Sequence, residues 1–468
     1  MAKFEVTDHG RIRKLVNEER KYLWNPLSNV AVTARIRGSL SEEQLRNAIH
    51  KALILHPLLS SRVLYDKDNI AWFHSDNVPE IPFRVVQWKN ENQWQEEMAV
   101  ENKTPFSLFE GPLIRFVLIQ SPEVSDLMVY CQHAICDGRS LMYLLRDILT
   151  LAAEPEPTVT PLLLPPLLSS ENLSSMKTSR GLRGKIIPLM INGMNKKWKK
   201  NATIFDQEDF DNIHKAYWQD HDYRIELIEL SEEQTANLTQ KCRQQGVSVT
   251  AALGTAFLKA HDELCGAFNK DQKIVALPVD LRNRIKEPVS EVLCFYVSRI
   301  MFKYDYSPQE TFWQNVRKFD TSVKNKIESE NLLEPFFRGE LFDPTLMDAM
   351  SGFGALSGGV PEGFSKYEKL STFASAKNNI AVKLAKRFAQ ISPGLVLTNL
   401  GKLNDSGVYG DIRIEKMFCA PSTDERFPFV IGALTAGGRL VVTMNYIGAS
   451  RTEFMKQIRD KASAILQE

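Results

Sequence analysis

Between residues 154 and 168 the chain reads EPEPTVTPLLLPPLL, five prolines in fifteen residues. Proline locks φ and has no N–H, so this stretch fits neither a helix interior nor a central strand. It separates two regions of regular patterning, and 468 residues at roughly 100–200 per domain are enough for both. The rest of the break is equally distinct. From Lys177 to Lys200 there are eight basic residues and no acidic one, after which Asp206, Glu208, Asp209 and Asp211 reverse the sign. The division expected from this is an N-terminal half over 1–153, a Pro-rich and basic crossover over 154–211, and a C-terminal half over 212–468.

Helices and strands alternate in both halves. SEEQLRNAIHKALIL (41–55) opens on Ser41 and an acidic first turn, carries Leu45, Ile49, Ala52 and Leu53 on one face, and is stopped by Pro57, which predicts a helix. LIRFVLI (113–119) and LMVYCQH (127–133) predict strands joined by the polar turn SPEVSD. SLMYLLRDILTLA (140–152) returns to helical spacing through Leu141, Leu144, Leu145, Ile148 and Leu149. The second half is expected to begin near Tyr217, with strand YRIELIEL and a helix from Ser231. Strands follow at 274–279, 395–400 and 439–446, and a helix from Arg451 to Leu466. The fold class is α/β.

Composition removes several function classes. A net charge of +1 argues against a nucleic-acid partner. Six cysteines with no C-x-x-C pair form neither a disulfide framework nor a zinc module, and read as reduced thiols. MAKFEVTDHGRIRK has no apolar signal core, and no apolar run reaches the roughly 18 residues of a membrane span, so a cytoplasmic chain is expected. Phosphate-loop, dinucleotide, H-E-x-x-H and G-x-S-x-G motifs are missing, and the eight histidines show no metal-ligand spacing. No metal and no bound cofactor are expected. SGFGALSGG (351–359) lacks a phosphate-binding lysine and reads as a loop.

The residue with most chemical reach is His133. It closes a strand whose Leu127, Val129 and Cys131 share its face, and a helix begins just after Asp137 and Gly138. A histidine at a strand tip projects into a cleft from a fixed backbone, and histidine is the side chain that accepts protons near neutral pH. Spacing alone leaves Asp137 open to a plain helix-capping role. Gly138 is expected to supply backbone freedom for the turn.

QHAICDG resembles the His-x-x-x-Asp-Gly signature of the CoA-dependent acyltransferase superfamily, which includes chloramphenicol acetyltransferase, plant BAHD enzymes, alcohol acyltransferases and the condensation domains of peptide synthetases. Four further segments are similar to this family in the same order: HPLLSSRV (56–63), PFSLFEGPLIRF (105–116), PVDLRNRI (278–285) and LTNLGKL (397–403). Two positions depart from it. Gln132 stands where condensation domains carry a second histidine, and PSTDERFPF (421–429) replaces the DFGWG segment of BAHD enzymes. Both favour the bacterial or fungal O-acyltransferase branch.

The resemblance implies two chloramphenicol-acetyltransferase-like halves, each a mixed sheet with flanking helices, and a tunnel between them. It implies transfer of an acyl group from acyl-CoA or an acyl carrier protein thioester to a hydroxyl, less commonly an amine, of a small acceptor. His133 would be the general base, with no acyl-enzyme. Asp137 would be structural and paired with Arg282, Arg284 being the next arginine to consider. Thr398, beside Asn399, would stabilise the oxyanion, and a plain strand threonine is the alternative. Cys136 reads as a small packed residue in the turn. The basic stretch 177–200 is either a solvated connection or a segment that meets a membrane surface or an acidic carrier. A free-standing monomeric acyltransferase is the expected function. The alternatives are a stand-alone condensation-type enzyme of a peptide or polyketide pathway, and a catalytically silent recruitment module of the same fold.

Overall fold

The computed structural model describes residues 10–154, 158–170, 172, 182–285, 289–353, 367–376 and 378–468. Most of the Gly-rich stretch, 354–359, and residues 177–181 of the basic stretch lie outside them.

Two six-stranded mixed sheets and one small antiparallel sheet organise the described residues. The first large sheet runs Val408–Tyr409, Ile412–Ala420, Asn29–Arg37, Val124–Gln132, Ile114–Gln120, Phe83–Gln87, antiparallel except for the last pair. The second runs Val297–Lys303, Ile274–Asp280, Leu395–Lys402, Val430–Ala436, Arg439–Ile447, Tyr223–Leu230, with Leu395–Lys402 parallel to both neighbours. The small sheet pairs Arg11–Lys14 and Arg62–Tyr65 with Ala71–His74. Residues 408–420 follow the crossover in sequence yet complete the N-terminal sheet, so each half holds the other through backbone hydrogen bonds.

Strand Val124–Gln132 is buried at every position after the first. Helix Gln93–Asn102 packs against it, and helix Gly138–Ala153, itself packed on Glu42–Leu55, lies against the neighbouring strand Asn29–Arg37, which suits a continuous apolar run. Ser41 caps its helix by accepting from Gln44 N at 3.1 Å, and Ser231 caps Glu232–Gln244 in the same way. In PFSLFEGPLIRF, Arg115 binds Glu101 Oε2 at 2.7 Å and the Thr104 carbonyl at 2.9 Å, which fixes the entry to strand Ile114–Gln120. Gly111 has φ +68° there, and a Cβ would meet the Ser61 carbonyl at 2.6 Å.

The crossover differs from a merely solvated connection. Residues Leu182–Lys200 and Gln207–Asp220 are helices, so the second half's first strand begins at Tyr223 and Tyr217 lies inside a helix. Ile191 and Trp198 are seven residues apart on one face and buried; the Trp198 indole donates to Thr345 Oγ1 at 2.8 Å. Asp206, part of the sign reversal, is the N-cap of the second helix. The Pro-rich residues 158–168 contain no helix or strand.

Candidate active site

The motif helix starts where it does because Asp137 and Ser140 cap it reciprocally. Asp137 Oδ1 accepts from Ser140 N at 2.8 Å, while Asp137 N donates to Ser140 Oγ at 3.0 Å. The strand ends at Gln132, so His133 is the first residue beyond it, pinned by its own N–H to the Ser28 carbonyl at 3.0 Å. The half-buried ring lies between Tyr22, 4.5 Å between centroids, and Phe295, at 5.5 Å. His133 Nδ1 is 2.7 Å from the carbonyl of Cys136. A carbonyl only accepts, so Nδ1 carries a proton, and in the neutral ring the lone pair is on Nε2.

Gln132 also has a defined task. Its amide nitrogen donates to the Tyr22 carbonyl at 2.6 Å, and its oxygen accepts from Ala134 N at 2.6 Å. A side chain that donates and accepts at once holds the segment bearing Tyr22 against the turn bearing His133.

Behind the turn, the second Asp137 oxygen accepts from Arg282 Nη1 and from Tyr296 N, both at 2.9 Å. Arg282 Nη1 also meets Asp280 Oδ1 at 3.0 Å, and Asp280 Oδ2 meets Arg139 at 2.5 Å. Burial works against the Arg282 charge, yet Asp137 and then Cys294 and Asp280 hold its pKa above the ordinary value. Burial likewise opposes ionisation of Asp280, and Arg282 and Arg139 nevertheless hold its carboxyl below the usual range. This four-residue chain joins the motif turn to the second sheet, and with both oxygens occupied Asp137 is no free base.

A cavity of about 400 Å³ opens onto these groups from between the two sheets. His133, Asp137, Gly138, Arg282, Thr398 and Asn399, all singled out from the sequence, line it together. They do not play equal parts. Thr398 is half-buried on strand Leu395–Lys402, and its side chain makes no hydrogen bond among the described residues. Asn399 instead donates to Thr250 Oγ1 at 3.1 Å and accepts from Gly401 N at 2.9 Å, which shapes the strand. Gly138 is not in the left-handed region, so the expectation of special backbone freedom is corrected. Its reason is close approach: a Cβ would lie 2.8 Å from Leu400 Cδ2.

Three thiols surround the site without becoming nucleophiles. Burial raises Cys136 well above the ordinary thiol pKa and pushes Cys294 and Cys419 each up to about 12. Arg284 is not the partner of Asp137; the 2.9 Å pair belongs to Arg282. HPLLSSRV lies away from the cavity lining: buried His56 accepts at Nδ1 from Leu293 N at 3.1 Å and ties the halves together. The sequence reading missed Tyr22, Phe295, Arg139 and Asp280. Asp280 and Arg139 stood inside or beside recognised motifs, but Tyr22 lies 111 residues before His133 with no local signal. Among the described residues no cluster of His, Cys, Asp or Glu is placed to hold a metal.

Residues 18–158 match the family model of the condensation domain. One subunit of the linear gramicidin synthase of Brevibacillus parabrevis is 21% identical over 467 residues, covering 91% of this chain and 8% of that protein. The chain thus spans less than a tenth of the length of the curated relatives it matches. The first condensation domain of the CDA synthetase superposes with TM-score 0.62 at 13% identity, over 98% of this chain and 97% of that one. The trichothecene 15-O-acetyltransferase of Fusarium sporotrichioides superposes with TM-score 0.61 at 10% identity, over 98% and 95%. Residues 18–158 thus match the condensation-domain family, and nearly the whole chain has the fold shared by condensation domains and the trichothecene acetyltransferase.

Proposed function

We propose that this protein transfers an acyl group from a CoA or carrier-protein thioester to a hydroxyl acceptor, or less commonly an amine. The observation that carries the reading is the 2.7 Å contact between His133 Nδ1 and the Cys136 carbonyl at the wall of the cavity: a neutral ring that donates there keeps the lone pair of Nε2 for a substrate proton. The acceptor hydroxyl gives its proton to Nε2 as its oxygen bonds to the thioester carbonyl carbon. The carbonyl becomes an oxyanion, for which the Thr398 hydroxyl on the cavity wall is the candidate donor. Collapse breaks the C–S bond, and the departing sulfur takes the proton back from His133. Protonated, buried thiols support direct transfer without an acyl-enzyme, so catalysis rests mainly on holding both substrates at one imidazole.

A condensation-type reaction on carrier-bound substrates is the second reading, favoured by the family match over residues 18–158. One experiment separates them. The protein and its His133→Ala variant are incubated with a panel of acyl-CoA thioesters, with acylated and aminoacylated carrier proteins, and with a metabolite extract, and products are read by mass spectrometry. Ester formation by the wild type alone supports the first reading. Amide formation only when donor and acceptor are both loaded on carrier proteins supports the second, and equal product from both proteins overturns the role of His133.

A further inference from the structure

The chain's positive charge is unevenly placed. Between Asn172 and Phe205 there are eight basic residues and no acidic one; between Lys369 and Asn404 there are six and again none. These two segments contribute the helices Leu182–Lys200 and Ile380–Ala389, which pack against each other. With a whole-chain net charge of +1, the rest of the molecule is correspondingly acidic.

The first helix is anchored by Ile191 and Trp198, both buried. At 100° per residue, Ile186, Leu189, Lys196 and Lys200 fall opposite this anchor and Met190 and Lys197 on its flank, and all six are exposed. Leu189 is 72% exposed and Met190 53%. Among the described side chains this surface is apolar over 186–190 and cationic over 196–200. The neighbouring helix exposes Lys383, Lys386 and Arg387, and its end exposes Phe388 at 51%. Exposed leucine, methionine and phenylalanine cost free energy in water, and clustered cations repel one another, so together they mark a surface with a missing counterpart.

We infer that this two-helix face docks the protein on an anionic phospholipid surface. A bilayer boundary accepts isolated projecting apolar side chains without a complementary pocket, while its headgroups answer the lysines. Stable anchoring takes both signals, and both are present here. The inference does not rest on the acyl-transfer reading, because none of these residues lines the cavity that holds His133. No helix among the described residues is long and apolar enough to cross a membrane, so the contact is peripheral.

The test is co-sedimentation of the full chain with vesicles of phosphatidylcholine alone, or mixed with phosphatidylglycerol. The wild type should pellet with the mixed vesicles at low salt and be released as salt rises. Lys196→Gln/Lys197→Gln/Lys200→Gln should bind about 100-fold more weakly, from roughly fivefold per lysine at an anionic surface. Leu189→Ser/Met190→Ser should also detach, whereas Lys67→Gln/Lys89→Gln/Lys103→Gln, all exposed elsewhere, should bind as the wild type does. Unchanged melting of each variant keeps the comparison about docking. Binding equal to neutral vesicles, or loss with the control triple, overturns the proposal. So does absence of vesicle binding while an acidic acyl carrier protein is retained by the same face.

Discussion

Arg282 reaches across the junction between the two sheets and donates from Nη1 to Asp137 Oδ2 at 2.9 Å, four residues from His133. The same carboxylate caps the motif helix, so one side chain sets both where that helix begins and how the second sheet sits behind it.

Replacing Arg282 by Ala should cost about 3–5 kcal/mol, since it leaves buried Asp137 without its cation, while half-buried Asp280 keeps Arg139. Asp137→Ala loses the pair and a cap worth about 1 kcal/mol, but leaves Arg282 its contact with Asp280. The double variant should fall short of the summed single effects in chemical denaturation. Strict additivity would count against the coupling.

The penalty of Arg282→Ala should depend on pH. Asp280 is held below its ordinary value, so its contribution is present above the usual carboxylate pKa of about 3.9 and is lost as pH falls through the lowered value. The stability curves of wild type and variant should diverge most near neutrality and converge in acid. A constant gap across that window would refute the assignment.

His133→Ala should lower transfer by about 10²–10⁴, the usual range for a lost general base, without a matching drop in melting temperature. Single-turnover assays run beside thermal scans check the rate and the fold separately.

Thr398→Val removes a hydroxyl from the cavity wall and should reduce kcat by about 10²–10³ if that hydroxyl serves the oxyanion. Asn399→Ala breaks its bonds to Thr250 and Gly401 and should instead cost about 1 kcal/mol of stability. Reversed effects would exchange the two roles.

Gly138→Ala places a methyl 2.8 Å from Leu400 Cδ2 and should destabilise the protein less in a Leu400→Ala background than in the wild type. Alkylation of the native protein should mark exposed Cys265 and spare the five buried thiols, with transfer unaffected. Labelling of Cys136 before unfolding would reopen thiol chemistry.

Features with a local cause were legible in the residues alone. Leucines at helical spacing and a capping Asp137 set the motif helix, Ser41 and Ser231 set two others, and the prolines of 154–168 marked a break whose described residues, 158–168, form no helix or strand. His133 and the pairing of Asp137 with Arg282 became legible through motif resemblance, because a buried ion pair constrains residue type at both ends. Other features exist only once distant segments meet. Tyr22 reaches His133 because Gln132 grips its carbonyl, a contact between segments 110 residues apart that leaves no periodic trace. Strand Ile412–Ala420 joins the far sheet because its pairing partners are chosen by three-dimensional register, and nothing in its own alternation names them. The crossover helix Leu182–Lys200 is likewise fixed by the burial of Ile191 and Trp198, which fold in against surfaces from distant parts of the chain.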